Sequence, residues 1–334
     1  MNNKGECKQL DKAKRNFFKN VFPVKGDSFK EALRKIVILI AVIVFIVSGA
    51  MLVNILLIQP NKNKDIYNEI KDIYYSESAD NAEDIKKVRE NQLIKVRELN
   101  PDISGWIKIS NTNIDNPVLM PPEEDSEYYL YRNYKKESTK YGSLFLDATV
   151  DLDNNYKNMV IYGHHMQDGS MFANLIKYSD LDFYKQNPII NFDTIKNIAD
   201  WKIISIFKTN TRKEQGDIFQ YIQTGFSSDI DFLNYVYNVR ERSLIDIPVD
   251  VNENDELVTL STCSYEFDDF RTVVVARKIR ELEDSYVDVS NAKLNPDPLM
   301  PQIWYDKRGG TKPKISDFST AYSNGEIDWY IPLD

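Results

Sequence analysis

Cysteine and histidine are almost missing from this 334-residue chain, which has two of each: Cys7, Cys263, His164 and His165. Two thiols cannot staple a disulfide-dense scaffold, and two adjacent histidines without other ligands nearby make a poor metal centre. Glycine (12) and proline (13) are sparse, which excludes a collagen-like or low-complexity chain. There is no glycine-rich phosphate loop, so nucleotide chemistry is not expected, nor is any metal or cofactor. Basic charge is in deficit: Lys+Arg 42 against Asp+Glu 51 gives −9, and an acidic bulk argues against nucleic acid as a partner. What remains is a chain long enough for a sizeable core, rich in tyrosine (20).

The charge is unevenly placed. Residues 1–35 hold ten Lys/Arg and four Asp/Glu, or +6, leaving 32 against 47, or −15, for the rest. Immediately after this basic segment, residues 36–58 run without a single charge, interrupted only by Ser48, Gly49 and Asn54. A bilayer core of roughly 30 Å needs about 20 helical residues, so the run is long enough to span. A secretory leader would have a shorter apolar region followed by small residues, whereas Leu57, Ile58, Gln59 and Pro60 follow here. Arg34 and Lys35 abut the span on the amino side, so that end is expected in the cytoplasm and everything after Gln59 outside. Cys7 is then cytoplasmic and Cys263 stands alone outside, as a buried hydrophobe, an intermolecular partner or a nucleophile.

The segment 60–100 repeats apolar residues at helical spacing: Ile66, Ile70, Ile73 and Tyr74, then Ile85, Val88, Leu93, Val96 and Leu99. Ser78 and Asn81 are capping candidates and Pro101 a stop. Such a stripe needs a surface to cover, so a helical cap on the following domain is expected. From Trp106 the texture turns to β, with short apolar runs at 106–109, 117–120, 143–146, 158–162, 201–207, 257–262 and 272–279. Helical inserts are expected at 170–178 and 229–240. Many strands without a βα rhythm predict a mainly β barrel or sandwich. Residues 285–334 carry five prolines and seven aromatics without a steady period, and read as a loop-rich appendage laid on the domain.

Two segments carry chemistry. An apolar strand at 158–162 ends at Gly163 and releases His164 at its tip. A second strand ends in Cys263, and after a seven-residue polar connection another begins at Arg271. A hairpin of that shape puts Cys263 and Arg271 at the same end of adjacent strands, well held yet reachable. Acyl transfer from a peptide needs a nucleophile, a proton carrier for the leaving amine and a donor for the developing oxyanion. Thiolate, imidazole and guanidinium supply these in turn.

Thr259-Leu260-Ser261-Thr262-Cys263, with Arg271 eight residues on, resembles the TLxTC signature and arginine of sortases. Tyr162-Gly163-His164, followed by Met166, Gly169, Ser170, Met171 and Phe172, is similar to the histidine segment of class B sortases. Gly105-Trp106-Ile107, Ile114-Asp115-Asn116-Pro117-Val118, Tyr128-Tyr129-Leu130 and the run from Gly142 to Asp147 also resemble that class. The resemblance implies a sortase β-barrel of about eight strands with amino-terminal helices and short helical inserts, preceded by one transmembrane helix. It implies a cysteine transpeptidase that joins surface proteins bearing a carboxyl-terminal sorting signal (NPxTx-like) to peptidoglycan. Cys263 would form a thioacyl enzyme with the signal's Thr, His164 would be acid and base, and Arg271 would position substrate and stabilise the oxyanion. A peptidoglycan precursor or cross-bridge amine would resolve the thioacyl. Tyr162, Ser261, Leu130, Tyr221 and Ile222 would line the substrate groove.

His165 points to the opposite face of an extended chain from His164 and is expected at a surface or supporting position. Asn295-Pro296-Asp297-Pro298 faintly resembles a sorting signal but lacks the Thr at which cleavage occurs. The organisation expected is a cytoplasmic tail at 1–35, a transmembrane helix at 36–59, a helical cap at 60–100, a catalytic barrel at 101–284 and an extension at 285–334. That extension departs from the class B pattern, which would stop soon after residue 279. Competing readings are a pilin-polymerising sortase with a lysine acceptor, a cysteine peptidase or wall hydrolase, and a non-enzymatic surface receptor with Cys263 buried.

Overall fold

The computed structural model describes residues 19–77, 82–154 and 156–332. Cys7 and the capping candidates Ser78 and Asn81 lie outside the described residues. The chain divides into two compact units, residues 1–66 and 67–334. The first holds α1 (Phe29–Val53), whose N-cap Ser28 accepts a hydrogen bond from the Glu31 amide, and a π-helical turn (Asn54–Ile58). Helix α2 (Gln59–Tyr74) follows. The helical run Phe29–Tyr74 is long and apolar enough to cross a membrane, and none of its apolar stretch is buried.

In the second unit, the carboxyl end of α2 and helix α3 (Ala82–Arg97) bury one face each. Tyr74 stacks on Trp106 with ring centroids 3.9 Å apart, and Leu93 and Val96 are buried. Each fully buried side chain of that size contributes about 1.5–3 kcal/mol. Arg89 fixes α3 by a bidentate pair with Asp193, at 2.9 and 2.6 Å, and a bond to Asp200 at 2.9 Å.

The barrel comprises β1 (Ile103–Lys108), β2 (Asp115–Leu119), β3 (Leu144–Leu146), β4 (Asn158–Tyr162), β5 (Ile189–Thr194), β6 (Asp200–Thr209), β8 (Leu257–Ser264) and β9 (Phe270–Lys278). It closes in the order β1-β2-β3-β4-β8-β9-β6-β5. Full closure leaves no sheet edge exposed. Strand β5 was not expected from the sequence; its polar Asn191, Asp193 and Thr194 break the apolar run, yet its register with β1 completes the barrel. The insert expected as a helix at 170–178 is instead a 3-10 segment (Ala173–Ser179), led by Met171 at φ +53°, which an α-helix cannot include. A short α4 (Leu181–Gln186) follows, capped by Asp180.

Helix α5 (Asp229–Glu241) begins at its cap Ser228 and buries Phe232, Leu233, Tyr235, Val236, Tyr237 and Val239. Six buried positions among 13 residues exceed one amphipathic stripe, so the helix must be covered on two sides. On one side Val239 accepts a hydrogen bond from Ser205 of β6, at 2.5 Å. On the other lies the carboxyl-terminal segment: Asn234 accepts from the Phe318 amide at 2.8 Å, and Tyr237 meets Ser316. That segment contains β10 (Lys293–Leu294), paired with β7 (Ile245–Asp246), then α6 (Gln302–Arg308) and α7 (Phe318–Ser323). Asn295 bonds the Leu244 and Ser243 carbonyls, so the faint sorting-signal motif is committed to the turn between α5 and β7.

Candidate active site

Strand register decides which side chains share a face. Tyr162 pairs with Ser261 across parallel β4 and β8, and Cys263 pairs with Arg271 across antiparallel β8 and β9. Because side chains alternate, Tyr162, Ser261, Cys263 and Arg271 project from one face, at the end where β4 and β8 finish and β9 starts, and His164 follows two residues past the end of β4. The opposite face, with Met159, Ile161, Val258, Leu260, Val274 and Ala276 fully buried, fills the barrel. Strands β8 and β9 extend further than the sequence indicated, so the connection between them is the five residues 265–269 rather than seven. Cys263 is a free, partly exposed thiol, and His164 and Arg271 are likewise half-buried.

His164 is held by its own turn. A Cβ on Gly163 would lie 2.4 Å from a Leu144 methyl and 2.7 Å from the Phe172 ring, so only glycine fits between β4 and the histidine. The Phe172 amide then donates to the His164 carbonyl at 2.9 Å. His164 Nε2 lies 2.7 Å from the Leu130 carbonyl oxygen. A carbonyl only accepts, so Nε2 carries the proton and Nδ1 is the atom that gains or loses one. Leu130 thus acts on His164 through its main chain. The Tyr131 ring, 57% exposed, sits 5.6 Å from the imidazole.

His165 is placed differently. Its Nδ1 donates to the Cys263 carbonyl at 2.9 Å, and its own carbonyl accepts from Tyr265 at 3.2 Å. It therefore ties the two chemistry-bearing segments together through the backbone, as does Thr262, whose hydroxyl donates to the Gly163 carbonyl at 2.7 Å.

Tyr162 donates to Asp147 at 2.7 Å, and burial together with that bond pushes its phenol well above the ordinary range. Tyr221 is buried and shares a hydrogen bond with Ser261 at 2.9 Å. Burial raises its phenol, against the pull of the Ser261 bond and the Arg271 charge. Ile222 is 45% exposed beside it. The structure thus brings Cys263, Arg271, Tyr162, Ser261 and Tyr221 to one face, and places His164 just past the end of β4, bonded to the Leu130 carbonyl. Asp147, Tyr131 and Tyr265 were not singled out from the sequence, although Asp147 closes one of the runs that carried the resemblance. Among the described residues no three His, Cys, Asp or Glu side chains are grouped to hold a metal ion.

A sortase-domain profile matches residues 107–279. Sortase B of Listeria monocytogenes serovar 1/2a is 34% identical over 239 residues, covering 72% of this chain and 93% of that protein. Sortase B of Staphylococcus aureus is 30% identical over 247 residues, covering 73% of this chain and 96% of that protein. A solved Staphylococcus aureus sortase B-substrate complex superposes with a TM-score of 0.59 at 30% identity, over 67% of this chain and 99% of that one. A sortase B complexed with triglycine gives 0.58 at 30% identity, over 66% and 99%. With nearly the full length of each relative matched and the eight-stranded barrel shared, the chain belongs to the sortase family, among the class B cysteine transpeptidases.

Proposed function

We propose that this enzyme cleaves an NPxTx-like sorting signal after its Thr and transfers the surface protein to a peptidoglycan cross-bridge amine. The observation that carries the reading is the register: Cys263 directly opposite Arg271, with His164 two residues past the Tyr162–Ser261 pair at the same end of the strands. The Cys263 thiolate attacks the Thr carbonyl carbon, and the oxygen takes up the electron pair. The Arg271 guanidinium, always protonated, donates to that oxyanion. As the tetrahedral species collapses, the C–N bond breaks and His164 Nδ1 gives its proton to the departing amine, leaving a thioester and neutral imidazole. The acceptor amine then attacks the thioester carbonyl, His164 Nδ1 takes its proton, and the thiolate leaves. The hydrogen bond to the Leu130 carbonyl holds the imidazole in the tautomer this cycle needs throughout.

Tyr162, Ser261, Leu130, Tyr221 and Ile222 line the groove that receives the signal. The substrate and triglycine complexes of related sortases B support a sorting peptide and an amine as the two reactants. Residues 36–59 anchor the enzyme in the membrane, with 1–35 cytoplasmic and the cap 60–100, barrel 101–284 and extension 285–334 outside.

The test uses the full chain in detergent micelles, a quenched NPQTN peptide and triglycine as amine. A thioacyl adduct at Cys263, absent from Cys263→Ala, with more amide than acid product, is the expected result. An adduct on another residue, or a Cys263 that resists both peptide and alkylating reagents, overturns the assignment. Acid alone at saturating amine would make the enzyme a hydrolase.

A further inference from the structure

The family match ends at residue 279, but the chain continues as an extension that reaches back to the connection between β8 and β9. It leaves the barrel, pairs β10 with β7, and is tied to the end of α5 where the Leu299 amide donates to the Glu241 carbonyl at 2.8 Å. Tyr305 of α6 is buried and its hydroxyl accepts from the Met300 amide at 3.1 Å, so the helix is fixed to its own approach. From that anchorage α6 meets two loops at once. Trp304 lies edge-on to Phe267, with centroids 6.3 Å apart, and Gln302 packs so closely on Gly216 that a Cβ there would sit 2.6 Å from its own.

Both loops border the chemistry. Phe267 lies in the 265–269 connection between Cys263 and Arg271 and packs at 4.9 Å on Phe270, the fully buried residue that precedes Arg271. The turn carrying Gly216 is cross-linked to the same connection. Gln215 donates to the Asp268 carbonyl at 2.8 Å, and Arg212 pairs with Asp269 at 2.6 Å. Asp269 itself takes φ +56°, the left-handed conformation that aspartate adopts more readily than most residues in a tight turn. Arg308 in turn stacks on Trp304 at 3.8 Å, which keeps the indole over the loop.

We infer that residues 301–308 of the extension are a positioning element for the transpeptidation site, with Trp304 the positioning residue that sets Arg271 opposite Cys263 through Phe267 and Phe270. The inference rests on the reaction proposed above. An arginine that serves mainly the oxyanion is needed in the transition state more than in the bound substrate, so loosening it lowers kcat rather than raising KM.

The experiment compares the full chain with Trp304→Ala, Trp304→Phe and Phe318→Ala in micelles, measuring NPQTN turnover and backbone hydrogen exchange over residues 264–271. Phe318 is buried in the same extension, among Tyr322, Trp329 and Tyr330, so its truncation reports loss of packing without loss of the brace. Trp304→Ala is expected to lower kcat about tenfold, since small displacements of reacting groups carry large rate costs. KM should stay within about twofold, Trp304→Phe should recover most of the loss, and exchange at 264–271 should quicken in Trp304→Ala alone. Trp304 is only half-buried, so the variant retains the fold; Trp304→Leu, which keeps the bulk without the ring edge, is the second probe. Unchanged kcat and exchange in Trp304→Ala, or an equal kcat loss in Phe318→Ala, overturns the inference. Hydrogen exchange needs no substrate, so a wild-type enzyme that forms no thioacyl adduct would sink the reaction assignment while the brace is still judged.

Discussion

His164 and His165 are neighbours in sequence and separate in chemistry, because just past the end of β4 each ring is held by a different carbonyl. His164 Nε2 is committed to the Leu130 carbonyl, which frees Nδ1 for proton transfer; His165 Nδ1 is spent on the Cys263 carbonyl. Removing the first deletes the acid and base of the proposed cycle. His164→Ala is expected to lower kcat/KM by about 10²–10⁴. Removing the second costs one hydrogen bond to the backbone, so His165→Ala is expected to lose less than about tenfold, in line with about 1 kcal/mol for such a bond. Steady-state turnover of the two variants under identical conditions decides it, and equal losses would reverse or merge the two roles. Gly163 is what keeps the assignment sharp: with Leu144 and Phe172 filling the space of a side chain, β4 must end where it does and His164 cannot rotate back into the strand.

Beyond the reach of single side chains, the end of β9 is closed by an ion network around Arg277, which is fully buried. Glu283 receives Arg277 at 2.7 and 2.8 Å and Lys202 at 2.7 Å. Burial alone would raise its carboxyl, but the Arg277 and Lys202 hydrogen bonds outweigh it and hold it far below the usual carboxylate range. A depressed folded-state value means that the stabilisation is complete above the unfolded value of about 4.3 and is lost as pH falls from there through the folded value. Glu283→Gln should therefore lower the thermal midpoint at pH 7, and the gap from wild type should narrow steadily below about pH 4. A gap independent of pH would show that packing rather than charge is at work. The Lys202 part of this network was invisible in sequence, since Lys202 is brought beside Arg277 and Glu283 only by the pairing of β6 with β9. Strands with continuous apolar runs, such as β4, β8 and β9, were legible, and so was the Cys263–Arg271 hairpin, because both motifs are local. Strand β5 was missed where polar residues serve Arg89, and the 170–178 helix was misread where Met171 takes a left-handed conformation that composition does not announce.

For the whole molecule, the sequence poses a question of sidedness. The basic segment 1–35 and the uncharged run after it imply a cytoplasmic amino end, which would put Cys263 outside with the cell wall it is proposed to serve. The two cysteines make this measurable without added labels, one on each side of the apolar run. In intact cells an impermeant maleimide should label Cys263, which is a partly exposed free thiol, and fail to label the Cys263→Ala chain. After permeabilisation, the Cys263→Ala chain should become labelled through Cys7. Replacing the flanking Arg34 and Lys35 with neutral residues weakens the bias but leaves eight of the ten amino-terminal cations, so the orientation should hold. Labelling of Cys7 from outside would invert the topology and remove Cys263 from the wall. The acidic bulk beyond the span, −15 over residues 36–334, fits the same orientation, because the positive-inside bias counts the lysines and arginines near the membrane and is almost blind to carboxylates beyond it.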